Sequence, residues 1–183
     1  MTIVAPAADQ YIRESWIDAI TDAVNGYGDL QPYYIPTWRY RTTAQTVTNS
    51  TTLVDDDALF VTGLPAGSVW DVQCLIRYLG YTSNDFKIGW SAPAGSTFLW
   101  EMRGAESGAT SGTAQGYWGV NTLAGTDTAG AVTASELHCA PSGLLTVGGT
   151  AGTFQFRFAQ GTAGAATDAK CQPGSRMRLL RVA

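Results

Sequence analysis

Charge is what this chain has least of. Only 14% of its 183 residues are Asp, Glu, Lys or Arg, against about 25% in a typical soluble domain. Eleven are basic and fifteen acidic, giving a formal net charge of −4, and lysine stands only at Lys87 and Lys170. No basic face is then available to displace counterions from phosphates, which argues against nucleic acid as a partner. No window reaches the roughly 18 consecutive apolar residues of a membrane span, so no membrane contact is expected. A basic stretch followed by an apolar signal core is also missing, and the chain reads as soluble and made in the cytoplasm.

Reactive side chains are equally scarce. The three cysteines, Cys74, Cys139 and Cys171, are odd in number and far apart, which suits neither a zinc knuckle nor a disulfide framework and leaves buried free thiols as the expectation. The single histidine, His138, stands beside Cys139 in a strand-like run from Val132 to Ala140. Neighbouring strand residues point to opposite faces, so the two do not form a nucleophile and base pair. No glycine-rich stretch carries the Lys and Ser/Thr of a phosphate cradle, and no cofactor is expected.

What the chain does have is apolar and small. With 45% apolar and 11% aromatic residues it can bury a core, and wholesale disorder is excluded. Ile12, Trp16, Ala19, Ile20 and Ala23 recur at helical spacing, which predicts one amphipathic helix ended at Asn25-Gly26. The stretch from Tyr27 to Pro36, with Pro32 and Pro36, reads as an extended arm. From Thr37 onward the period is two. Trp70, Val72, Cys74, Ile76 and Tyr78 predict a strand, as do Phe86, Ile88 and Trp90, then Phe98 and Trp100. Phe154, Phe156 and Phe158 give the cleanest alternation, and Ser175 to Val182 a last strand. Gly104 to Gly116, Thr122 to Gly130 and Gly161 to Thr167 read as loops by composition. The expected fold is mainly β, an antiparallel jelly-roll sandwich over residues 37–183 preceded by a helix and arm over 1–36.

Candidate chemistry is thin. Asp55, Asp56 and Asp57 could offer oxygen ligands to a cation, or they could be a solvated turn between strands, the preferred reading. Asp71, Asp85, Glu101, Glu106 and Glu136 are available for glycoside cleavage, but nothing in their spacing selects a pair. The helix, marginal alone, needs an apolar partner, so Ile12, Trp16 and Ile20, with Tyr33 and Tyr34, are anchor candidates. Trp38, Tyr117 and Trp118 are candidates for a subunit or ligand surface. Residues 104–170 hold six charges, and small uncharged side chains suit subunit seams. A homo-oligomer follows as an expectation.

Four segments, Asn49 to Leu59, Asp85 to Gly95, Ala151-Gly152-Thr153 leading to Phe158-Ala159-Gln160, and Gly174 to Arg178, resemble C-terminal β-domains of minor tail and head-decoration proteins of actinobacterial phages. The resemblance implies a virion structural protein and not an enzyme, with a trimeric jelly roll of the tumour-necrosis-factor and C1q type. It brings no catalytic residues. Long upstream modules often precede such domains, whereas here there is only a helix and arm, which favours a compact capsid decoration or short head fibre held by its N-terminus. The implied partners are two further copies of itself and a major capsid protein or tail component. The alternatives are a tail-tip protein binding host cell-wall glycan and, more distantly, a glycan-cleaving virion enzyme.

Overall fold

The computed structural model describes residues 35–108, 115–117, 119–133, 135–164 and 167–183. Among these described residues fourteen strands follow in order, the first half supplying β1 (Thr37–Tyr40), β2 (Gln45–Thr48), β3 (Val54–Leu64), β4 (Val69–Leu79), β5 (Phe86–Ser91), β6 (Thr97–Glu101) and β7 (Arg103–Ala105). The second half supplies β8 (Gln115–Tyr117), β9 (Asp127–Ala129), β10 (Glu136–Cys139), β11 (Ser142–Thr146), β12 (Gly152–Gln160), β13 (Asp168–Cys171) and β14 (Arg176–Arg181). There is no helix among the described residues. Two main antiparallel sheets result: a large one with the path β1-β14-β4-β11-β6, to which β10, β13 and β2 add, and a small one ordered β3-β12-β5-β9.

The eleven-residue β4 is the trunk of the large sheet. Each flank takes two shorter strands in succession. One flank pairs β14 at Trp70 to Leu75 and then β13 at Tyr78 and Leu79; the other pairs β11 at Val69 to Gln73 and then β10 at Ile76 to Leu79. The break between β13 and β14 is a turn in which Gly174 has φ +85°, a conformation that favours glycine. The Ser175 hydroxyl, fully buried, accepts from Arg77 N at 2.9 Å and donates to Gln172 O at 2.8 Å. A side chain at Gly143 would come within 2.8 Å of Trp100 Cα, so a close approach of β11 and β6 requires glycine there.

The period of two explains the core. Val72, Cys74, Ile76 and Tyr78 face inward from β4, and Phe154, Phe156 and Phe158 from β12, because alternate side chains of a strand share a face. Trp90 joins the layers: it stacks on Phe154 of its own sheet at 5.0 Å and meets Phe98 and Trp100 of the other sheet edge-on at 5.3 and 6.0 Å. Such offset and edge contacts are the geometries aromatic quadrupoles favour.

Two expectations need correction. Asp55, Asp56 and Asp57 do not form a turn; they lie on β3, where Asp56 is 1% exposed. Its carboxylate accepts from Arg41 Nη2 at 2.8 Å and Nε at 3.1 Å, and from the N–H groups of Ala58 and Leu59. Asp57, exposed, also reaches Arg41 Nη2, and Asp55 pairs with Arg157 at 2.8 Å. Burial works against the Arg41 charge, but the hydrogen bonds and charges around it, those of Asp56 first and Asp57 after, together more than offset it, and the guanidinium pKa lies above its ordinary value. The three acids are spaced by an alternating strand, so only the middle one turns inward. The stretches 104–116 and 122–130 are not wholly loop either: β7 pairs β8 in a ribbon, and β9 adds to β5. Main-chain ladders need no apolar side chain, which is why small-residue strands escape a hydrophobic pattern. The expected helix and most of the arm lie outside the described residues.

Removing one partner of a buried ion pair strands the other. Arg41→Ala should therefore lower unfolding free energy by about 3–5 kcal/mol, and Asp57→Ala at the exposed position by less than about 1 kcal/mol. Urea titration followed by tryptophan fluorescence measures both.

Candidate functional site

The inner face of the large sheet is spent on the core, and the outer face carries more apolar surface than solvent would select. Registers place its residues in rows across the strands. One row runs Trp38, Arg178, Gln73, Ser142 and Glu101; the next runs Leu180, Asp71, Leu144 and Leu99. Tyr40 extends the face opposite Arg176. Trp38 and Tyr40 are 40% and 57% exposed, Leu99 and Leu144 55% and 49%. An antiparallel sheet with one wet face ordinarily alternates polar outward, and clustered apolar groups on such a face mark contact surfaces.

The face has two apolar ends and a polar waist. At the β1 edge, Trp38 and Tyr40 stack with ring centres 5.8 Å apart and planes 10° from parallel, since residues i and i+2 of a strand stand side by side. Towards β6, Leu144 lies opposite Leu99, and Val120, with the same two strands, borders a shallow depression that Asp71 and Gln73 also line. Between the ends, Arg178 Nη2 donates to Asp71 at 2.6 Å, and Gln73 donates to the same oxygen at 3.1 Å. Lower on β4, Arg77 pairs with Glu136 at 2.6 Å, with His138 opposite Arg77. The charges at the centre are mutually neutralised, so the face can meet another surface without stranding them.

Of the residues singled out in the sequence, Trp38 lies on this face. Ile12, Trp16, Ile20, Tyr33, Tyr34 and Trp118 are outside the described residues, and Tyr117 is placed on β8 opposite Arg103. Tyr40 is not among the sequence candidates, although Trp38-Arg39-Tyr40 is itself a three-residue alternation. Leu99 and Leu144 carry no such signal, because a lone leucine in a strand reads as core until the register is known.

Ionisable groups elsewhere are tied into the scaffold. Asp85 is a hub at φ +51°, accepting from Ala131 N at 2.9 Å, Ser107 Oγ at 2.7 Å and Gly108 N at 3.0 Å, which fastens two loops to the start of β5. Glu101 reaches Arg103 at 3.5 Å, and Glu106 is exposed. Among the described residues no group of three or more His, Cys, Asp or Glu is placed to hold a metal ion. His138 is exposed and Cys139 buried, on opposite faces of β10 as strand alternation requires.

All three cysteines are free and buried, as the sequence suggests. Burial pushes the Cys74, Cys139 and Cys171 thiols well above their ordinary pKa, and reactivity needs both thiolate and access. Native protein at pH 8 should release less than one equivalent of thionitrobenzoate from an aromatic disulfide reagent, and three once unfolded in guanidinium; the absorbance rise checks both. Comparison of the chain with protein-family models, with curated proteins and with solved structures gives no match.

Proposed function

We propose that this protein is a structural component of a phage particle, a jelly-roll β-domain that works by assembly: homotrimeric, held by its N-terminal residues to a capsid or tail protein, and stabilising the shell or presenting a surface to the host. The single observation that supports assembly is the outer face of the large sheet, where Trp38, Tyr40, Leu99, Leu144 and Val120 remain exposed around a neutralised ion pair. Large apolar side chains left in water on one face are stabilised when a second surface covers them. The scarcity of charge points the same way, since depletion of charged residues marks the cores of contact patches. The virion setting rests on the sequence resemblance.

The stacked Trp38–Tyr40 pair favours one further reading, a tail-tip protein that holds host-surface glycan against aromatic faces. Particle images separate the two: regular arrays on the capsid are expected for decoration, and a few copies at the tail tip would establish the alternative.

Sedimentation equilibrium of the full chain should give about three times the 19.4 kDa chain mass at micromolar concentration. The Leu99→Asp/Leu144→Asp double variant should sediment as a monomer with an unchanged far-ultraviolet circular dichroism spectrum. A monomeric parent protein would contradict the proposal.

A further inference from the structure

The alternation of hydrogen bonds along β6 leaves one place in its edge unfilled. Trp100 exchanges both main-chain bonds with Asn121, at 2.9 and 2.7 Å, so its N–H and C=O point away from β11. Phe98, two residues earlier, points its own the same way. The other flank agrees: Val147 N donates to Ser68 O at 2.8 Å, which turns the odd-numbered residues of β11 towards β4 and the even-numbered ones towards β6. A chain continuing straight past Asn121 would set residue 123 opposite Phe98. Instead Gly125 N donates to Thr122 O at 2.9 Å, and the chain turns off, leaving the outward N–H and C=O of Phe98 without a partner among the described residues.

A groove of about 550 Å³ opens at that place, lined by Trp90, Ala92, Phe98 and Leu123 with Ser96 and Thr122, a size in the range of ligand sites. No ionisable side chain lines it among the described residues. Trp90 is 5% exposed, and its indole N–H is buried with no hydrogen-bond partner. A buried donor left unmade costs its full desolvation. The groove is thus bordered by a tryptophan whose buried indole donor is unpaired, by an unpaired main-chain donor and acceptor, and by apolar walls.

We propose that the groove takes an extended, uncharged peptide segment of a partner protein, added antiparallel to β6 in line with Gly119 to Asn121. Its main chain pairs with the N–H and C=O of Phe98, a carbonyl oxygen accepts from Trp90 Nε1, and one small aliphatic side chain packs between Trp90 and Leu123. Strand addition of this kind draws affinity from main-chain bonds and selectivity from the pocket for an alternate side chain. The absence of charge in the lining selects an uncharged segment, because a buried Lys or Asp would find no counterion. Phe98 is 1% exposed, so its groups lie on the groove floor. The segment reaches them by easing the Thr122 to Gly125 turn, which Trp100 Nε1 also holds by donating to Thr122 O at 3.0 Å.

The test is a titration of the full chain, ¹⁵N-labelled, with short end-blocked peptides of Val, Thr, Ala and Leu, following the Trp90 indole and Phe98 amide resonances. Both should move in a saturable way. N-methylation of alternate peptide residues should weaken binding by about tenfold or more, since it removes main-chain donors and keeps the apolar surface. Ala124→Glu, an exposed change at the groove, should weaken it similarly and leave the remaining spectrum intact. No movement at millimolar peptide, or equal binding of the N-methylated peptides, would overturn the proposal.

Discussion

The structure depends on one contact between layers, the meeting of Trp90 from the small sheet with Phe98 and Trp100 from the large one. Two antiparallel sheets of unequal size share a single core, and aromatic rings of about 150–250 Å² each fill it where aliphatic side chains would leave gaps. Trp90 stacks on Phe154 while meeting the rings of the facing pair at near right angles. The same placement buries its N–H without an acceptor, and so the residue that binds the layers also marks an unfilled groove.

Charge is used sparingly around that core. Arg41, at the end of β1 in the large sheet, and Asp56, on β3 in the small one, form a buried bidentate pair that clamps the layers together. Its value lies in geometry: the guanidinium also donates to Thr43 O and Gln45 Oε1 at 2.8 Å, so nearly every donor is matched, which a buried charge demands. The remaining pairs lie at the surface. Asp71 with Arg178 and Arg77 with Glu136 cross strands of the outer face and cancel there, leaving apolar groups as its distinguishing feature.

Much of this fold is legible in the amino-acid sequence alone. Phe154, Phe156 and Phe158, and the run from Trp70 to Tyr78, declare their strands because a half-buried strand writes its burial into every second residue. The buried state of the thiols is legible for the same reason, since Cys74 falls in that register. Asp55 to Asp57 mislead because three acids look like a solvated turn, whereas one buried arginine, distant in sequence, turns the middle one inward. Strands β7, β8 and β9 are invisible in small-residue stretches whose pairing is main-chain alone. Of the outer face only Trp38 is marked in the sequence, for Leu99 and Leu144 become neighbours only through the β6–β11 register.

The central claim is that copies of this protein meet through the outer face of the large sheet. Hydroxyl-radical footprinting of the full chain across a dilution series, read by mass spectrometry at Trp38, Tyr40, Leu99 and Leu144, tests it most directly. Oxidation of these side chains should fall as concentration rises through the assembly range, while exposed residues of the small sheet, such as Thr62 on β3, stay constant. Equal oxidation at every concentration, in a protein that nonetheless assembles, would place the interface elsewhere and contradict the account.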